Sequence, residues 1–97
     1  MYLRVVTSQI KTDSVTEAIQ IWRDQLIPIL KEIKGYKCGY LSGDRNSGKS
    51  MAISIWETEA DATTFYTSGK YAEIMALFAS HFAAAPTQEL FEVFAEV

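Results

Sequence analysis

Thiol and imidazole chemistry are almost absent from this chain, which has one cysteine, Cys38, and one histidine, His81. A single thiol cannot close an intrachain disulfide, and that scarcity fits a reducing compartment. A single imidazole cannot hold a metal without carboxylate help. No spacing of acidic residues resembles a ligand motif, so no metal site is expected. Basic residues are also few: nine Lys and Arg against twelve Asp and Glu leave a net charge of −3. They are scattered from Arg4 to Lys70, without the cluster that phosphate-backbone binding relies on, so nucleic acid and anionic membrane are not expected partners. No apolar run approaches the length of a bilayer span. The first residues, Met1–Thr7, have no basic stretch followed by an apolar core. No secretory signal is read there, and a soluble cytoplasmic protein is expected.

Apolar and aromatic residues are plentiful, at 48% and 12% of 97 residues. That composition describes one globular domain over residues 1–97, small enough that oligomerisation is a common way to bury more surface. One formal motif stands out. Gly43–Ser50, GDRNSGKS, fits the phosphate-loop pattern G-x-x-x-x-G-K-[S/T]. A phosphate loop needs a helix N-terminus immediately after the glycine-rich turn. Met51–Trp56 instead alternates apolar and smaller residues, as a strand does. The eight residues therefore read as a polar hairpin turn between two strands.

Residues 2–10 alternate and form a first strand. Ser14-Val15-Thr16-Glu17 has the form of a capping box, followed by an apolar stripe through Ala18, Trp22, Leu26 and Leu30 on a long amphipathic helix. Pro28 should kink that helix and Gly35 should close it. Strands follow at Tyr36 to about Ser42 and about Ser50 to Glu57. Thr58 is read as the cap of a second helix, interrupted at Gly69, resumed from Lys70 to about Ala84 and ended by Pro86. Glu89–Val97 alternates again as a last strand. The order is α+β, ferredoxin-like β-α-β-β-α-β, with an antiparallel sheet. Leu3, Val5, Met51, Ile53 and Ile55 suit the face that the helices cover. Tyr2, Val6, Tyr36, Tyr40 and Trp56, or a similar set if the phase is reversed, then occupy the other. A sheet apolar on both faces needs a second cover, so a homodimer joined through the sheet faces is expected.

Ile53-Ser54-Ile55-Trp56-Glu57-Thr58-Glu59-Ala60-Asp61-Ala62, running on to Phe65-Tyr66-Thr67-Ser68 and Tyr71, resembles the strand–Trp–helix signature of the antibiotic biosynthesis monooxygenase-like family. Pro28 in the first helix and the following Gly35-Tyr36 are also similar to that family, and the resemblance covers nearly the whole chain. It implies a dimeric α+β barrel with a pocket between the sheet and the second helix. Cofactor-free members oxidise polycyclic aromatic substrates there with molecular oxygen. Haem-degrading members use an asparagine, a tryptophan and a histidine. The last two positions fall on Phe65 and Met75 here, and the only asparagine is Asn46 in the hairpin turn. The resemblance therefore implies no haem, and no cofactor is expected.

Among chemistry-bearing residues, His81 is the one imidazole and so the first candidate for a general base, against a half-buried histidine at a helix C-terminus. Trp22, Trp56, Phe65, Tyr66, Tyr71, Met75 and Phe78 are candidates for a pocket around a flat organic ligand, against a role in the core. Cys38 reads as a small buried strand residue, and Glu57, Glu59 and Asp61 as a helix-start cluster. The expected function is a cofactor-independent monooxygenase-like protein for a small aromatic substrate. The alternatives are a non-catalytic small-metabolite-binding or dimeric interaction module of the same fold, and an acid–base isomerase-type enzyme using His81.

Overall fold

Alternation along Tyr2–Ile10 produces β1, with Val6 and Ile10 buried on one side, in a computed structural model that describes all 97 residues. β2 (Tyr36–Gly43), β3 (Lys49–Trp56) and β4 (Phe82–Glu92) complete a four-stranded antiparallel sheet in the order β2-β3-β1-β4. The helical segments lie over one face of that sheet. The fold is α+β and ferredoxin-like, with the strand and helix order read from the sequence. No helix is long and apolar enough to cross a membrane.

The sheet takes the reversed phase. Val6, Ile10, Ser50, Ser54 and Trp56 are buried, so the even positions of β1 and β3 face the helices. Leu3, Val5, Met51, Ile53 and Ile55 share the opposite, uncovered face, where Tyr40 is 65% and Phe91 49% exposed. The packing reason is Trp56, which is fully buried, stacks on Phe65 at 5.5 Å and meets Tyr36 edge-on at 5.6 Å. A side chain of that size sets the phase, because exposing it would forgo more apolar burial than any aliphatic neighbour could recover. Cys38 also lies on the uncovered face and is exposed, not buried as its residue type suggested.

The first helical region departs most from expectation. It comprises α1 (Val15–Ile21), a π-helical turn (Trp22–Leu26) and α2 (Ile27–Leu30), with Pro28 in the first turn of α2. Proline has no N–H to give Asp24, and its ring crowds that carbonyl, so the turn widens before it. The capping box does not form. Ser14 sits at φ −112°, ψ 2° with no side-chain cap, away from the extended geometry that a cap requires. Gly35 lies beyond the helix in a turn at φ +84°, and the Asp61 side chain fills the space where a Cβ would stand.

The second helical region divides into α3 (Glu59–Tyr66) and α4 (Gly69–Phe78). Thr58 Oγ1 accepts from Asp61 N at 3.0 Å, as its position suggested. The break comes from a second cap, Ser68 Oγ accepting from Tyr71 N at 3.2 Å, and Gly69 is simply the first residue of α4. Helix gives way at a 3-10 turn, Ala79–His81, earlier than the Ala84 expected. From Phe82 the chain pairs with β1, Ile10 opposite Phe82 and Thr7 opposite Thr87. Pro86 lies within β4 where the register slips between Thr7 and Gln9. A bulge on an edge strand tolerates the missing N–H. Val93–Val97, read as strand, has no regular structure, although Val93 N still donates to Met1 O at 2.9 Å just past the Tyr2–Glu92 pair.

The phosphate-loop letters form the β2–β3 hairpin. Asp44 N donates to Lys49 O at 2.9 Å, Asn46 N donates to Asp44 Oδ1 at 2.8 Å, and Gly48 takes φ +77° against the Ile10 carbonyl. β3 follows directly, with no helix N-terminus to face a phosphate.

Candidate functional site

Several helix-facing positions of β1, β2 and β3 are small. β3 presents Ser50, Ala52 and Ser54 before Trp56, β1 presents Ser8, and β2 presents Gly39. Gly39 is required, since a Cβ there would stand 2.8 Å from the Ile53 carbonyl oxygen and 2.9 Å from Tyr36 Oη. Large side chains from the helices cannot fill the space over such a floor, and a cavity of about 60 Å³ remains. Its walls come from Trp22 and Leu26 of the π-helical turn, Phe65 and Tyr66 of α3, and Tyr71, Met75 and Phe78 of α4. Six of the seven aromatic and Met candidates therefore converge on it. Trp56 lies behind the wall, wholly buried, with Nε1 donating to Ser54 Oγ at 2.8 Å.

No carboxylate, lysine, arginine or imidazole lines the cavity, and its side-chain polar groups are the hydroxyls of Ser8, Ser54, Tyr66 and Tyr71 and the indole N–H of Trp22. Tyr66 Oη is 3.2 Å from Ser54 Oγ, and the two tyrosine rings are 4.6 Å apart. Burial raises the Tyr66 hydroxyl above the usual phenol range, against smaller opposing effects of Ser54 and Arg4. Burial pushes Tyr71 further, up to about 12, with neighbouring Tyr66 adding to it and Arg4 opposing. Both stay protonated at neutral pH, as hydrogen-bond donors inside an apolar enclosure.

His81 is not among the lining residues. Its Nδ1 lies 3.8 Å from Glu17 Oε2 of α1, and its backbone carbonyl accepts from Lys11 N at 2.8 Å. Asn46 belongs to the hairpin turn, remote from the cavity in its contacts. Glu57 pairs with Lys37 at 2.9 Å, and that hydrogen bond lowers the carboxyl and raises the ammonium. No group of three His, Cys, Asp or Glu side chains comes together.

Sequence reasoning missed Arg4 and Gln88. The Arg4 guanidinium lies 4.3 Å over the Tyr66 ring, its Nη1 is 3.4 Å from Gln88 Oε1, and Gln88 Nε2 donates to Tyr71 Oη at 2.7 Å. Arg4 would have been visible once Val6 and Ile10 set the helix-facing phase of β1. Gln88 had no such signal, because it lies between Pro86, read as a helix stop, and the strand expected from Glu89.

No family profile and no curated protein matches the chain. Solved structures do. An antibiotic biosynthesis monooxygenase is similar over 98% of this chain and 100% of its own, with TM-score 0.78 and 16% identity. A monooxygenase of Streptomyces coelicolor, crystallised with nanaomycin D, is similar over 99% of this chain and 89% of its own, with TM-score 0.84 and 13% identity. A conserved protein of Methanosarcina mazei is similar over 94% and 91%, with TM-score 0.78 and 18% identity. At these identities the likeness shows a shared fold, and many of the matching structures are of antibiotic biosynthesis monooxygenases.

Proposed function

We propose that this chain is a cofactor-independent monooxygenase-like protein, acting as a homodimer, that takes a small aromatic organic substrate between its sheet and its second helical region. The observation that carries the reading is the aromatic-walled cavity over a floor of Ser8, Gly39, Ala52 and Ser54, with two protonated tyrosines among its walls. Flat rings suit the walls, and the hydroxyls suit an oxygen substituent. A Streptomyces coelicolor monooxygenase of the same fold was crystallised in complex with nanaomycin D, which supports an organic ligand on this scaffold. The cavity, at about 60 Å³, is smaller than the roughly 300 Å³ that ligand sites usually start from. Admission of a bicyclic ring therefore requires movement, and the α3–α4 break and the π-helical turn are where backbone regularity is already interrupted.

The chemistry divides between substrate and protein. An oxygenation without a reducing cofactor draws its electrons from the substrate: a ring methylene and one O₂ give a ring carbonyl and one water. The protein would bind the ring, exclude bulk water and hold donors toward developing oxyanion charge. With no carboxylate or imidazole on the wall, the substrate must be acidic enough to ionise without a protein base. That same absence favours, as a second reading, a non-catalytic small-metabolite binder. It also leaves the acid–base isomerase reading without a base, since His81 faces Glu17.

Native mass spectrometry of freshly purified protein, followed by oxygen uptake with electron-rich bicyclic and tricyclic phenols, separates these readings. A dimer that consumes oxygen above the heat-inactivated control, and loses at least tenfold of that rate in Tyr71→Phe, supports the oxygenase. Saturable binding of the phenols with no oxygen uptake establishes the binder instead.

A further inference from the structure

Two hydrogen-bond chains reach the cavity tyrosines, and each begins at a group that can only donate. Trp56 Nε1 donates to Ser54 Oγ, which lies beside Tyr66 Oη. Arg4 Nη1 faces Gln88 Oε1 at 3.4 Å, and Gln88 Nε2 donates to Tyr71 Oη at 2.7 Å. A guanidinium has five donors and no acceptor, so it decides which end of the Gln88 amide faces it. The amide oxygen turns to Arg4 and the NH₂ turns to Tyr71. Arg4 is itself held in place by its 4.3 Å contact over the Tyr66 ring, and its buried Nε has no partner. Donors outnumber acceptors in this corner: the Ser54–Tyr66 pair leaves one hydroxyl hydrogen over, and on the second chain the Tyr71 hydrogen has no acceptor in the protein.

We infer that Arg4 and Gln88 are positioning residues that commit Tyr71 Oη to accepting on the protein side, so that its hydrogen is presented to the cavity for a carbonyl oxygen on an aromatic ligand. This rests on the cavity being an aromatic-ligand site. Tyr71 is suited to the task, because burial, which pushes it up to about 12, keeps the hydrogen on the phenol. A ligand hydroxyl can also accept that hydrogen, but its own hydrogen then needs a second acceptor, so the arrangement prefers a carbonyl oxygen over a hydroxyl.

A matched pair of probes tests this: α-tetralone and tetralin, which differ by one carbonyl oxygen, titrated calorimetrically. The unaltered protein should prefer the ketone by roughly three- to tenfold, the value of one neutral hydrogen bond. Tyr71→Phe should abolish the preference while tetralin affinity stays. Gln88→Glu should also abolish it although Tyr71 is intact, because a carboxylate takes the phenolic hydrogen. Retained tetralin binding in that variant reports that it has folded. The carbonyl stretch of bound α-tetralone in the unaltered protein needs no variant, and it should move to lower frequency than in hexane. An unshifted stretch, or an undiminished ketone preference in folded Gln88→Glu, overturns the inference. Equal binding of both probes to the unaltered protein overturns it while leaving the aromatic cavity standing. Failure of either probe to bind removes the cavity reading and the inference with it.

Discussion

Tyr71 carries a measurable consequence outside any reaction. Its hydroxyl is pushed from the ordinary 10.0 to about 12, chiefly by burial. Below pH 10 it is protonated in both native and unfolded chains and adds no pH dependence. As pH rises from 10 toward 12, the unfolded chain ionises while the native one retains the proton, so stability is lost across that window. Denaturant midpoints taken through alkaline pH should fall in the parent and fall less steeply in Tyr71→Phe, and equal slopes would remove the assignment. Tyr66 and Tyr71 were legible in the sequence as hydroxyl-bearing aromatics near a helix break. Arg4 was not, because the alternation of β1 leaves open which face meets the helices, and only the packing of Trp56 settles it.

Helix starts distinguish letters from geometry. Ser14 and Ser68 both precede a helix, but only Ser68 receives an N–H, from Tyr71. Ser68→Ala should cost about 1 kcal/mol in urea denaturation, and Ser14→Ala well under half of that. Equal losses would mean that the capping difference does not matter to stability. Ser14 already gives its carbonyl to Ala18 N at 2.9 Å, in a turn where Ser14 N donates to Lys11 O, so its backbone is not free to become extended. The capping box was readable, but this competing turn was not. Pro28 announced an irregularity, and its form, a π-helical turn before the proline instead of a simple kink, places Trp22 and Leu26 on the cavity wall. The last strand was displaced for a related reason. Pro86 read as a helix stop, and an edge position with a register slip made it tolerable within β4.

At the scale of the molecule, the uncovered sheet face explains why a second copy is proposed. Leu3, Val5, Ile53 and Ile55 form a continuous apolar centre, with Tyr40 and Phe91 standing exposed beside it. Ile53→Glu, placing a charge at that centre, should halve the mass found by light scattering, with the far-ultraviolet spectrum unchanged. A parent protein that is already monomeric at high concentration would dispose of the sheet-to-sheet dimer. The element order was legible because turn residues and periodicity are local signals, whereas the facing of the sheet is a collective choice among all four strands. That sheet also has a consequence in time. β1 is the first strand made and an inner one, and its β4 neighbour runs antiparallel so that Tyr2 meets Glu92. During synthesis one edge of β1 stays unpaired until the final strand emerges, so closure is a late event between the chain's two ends. The loop-closure entropy of that step should make folding slow relative to a helical bundle of this size. Its unpaired interval is when the nascent strand is most open to wrong partners.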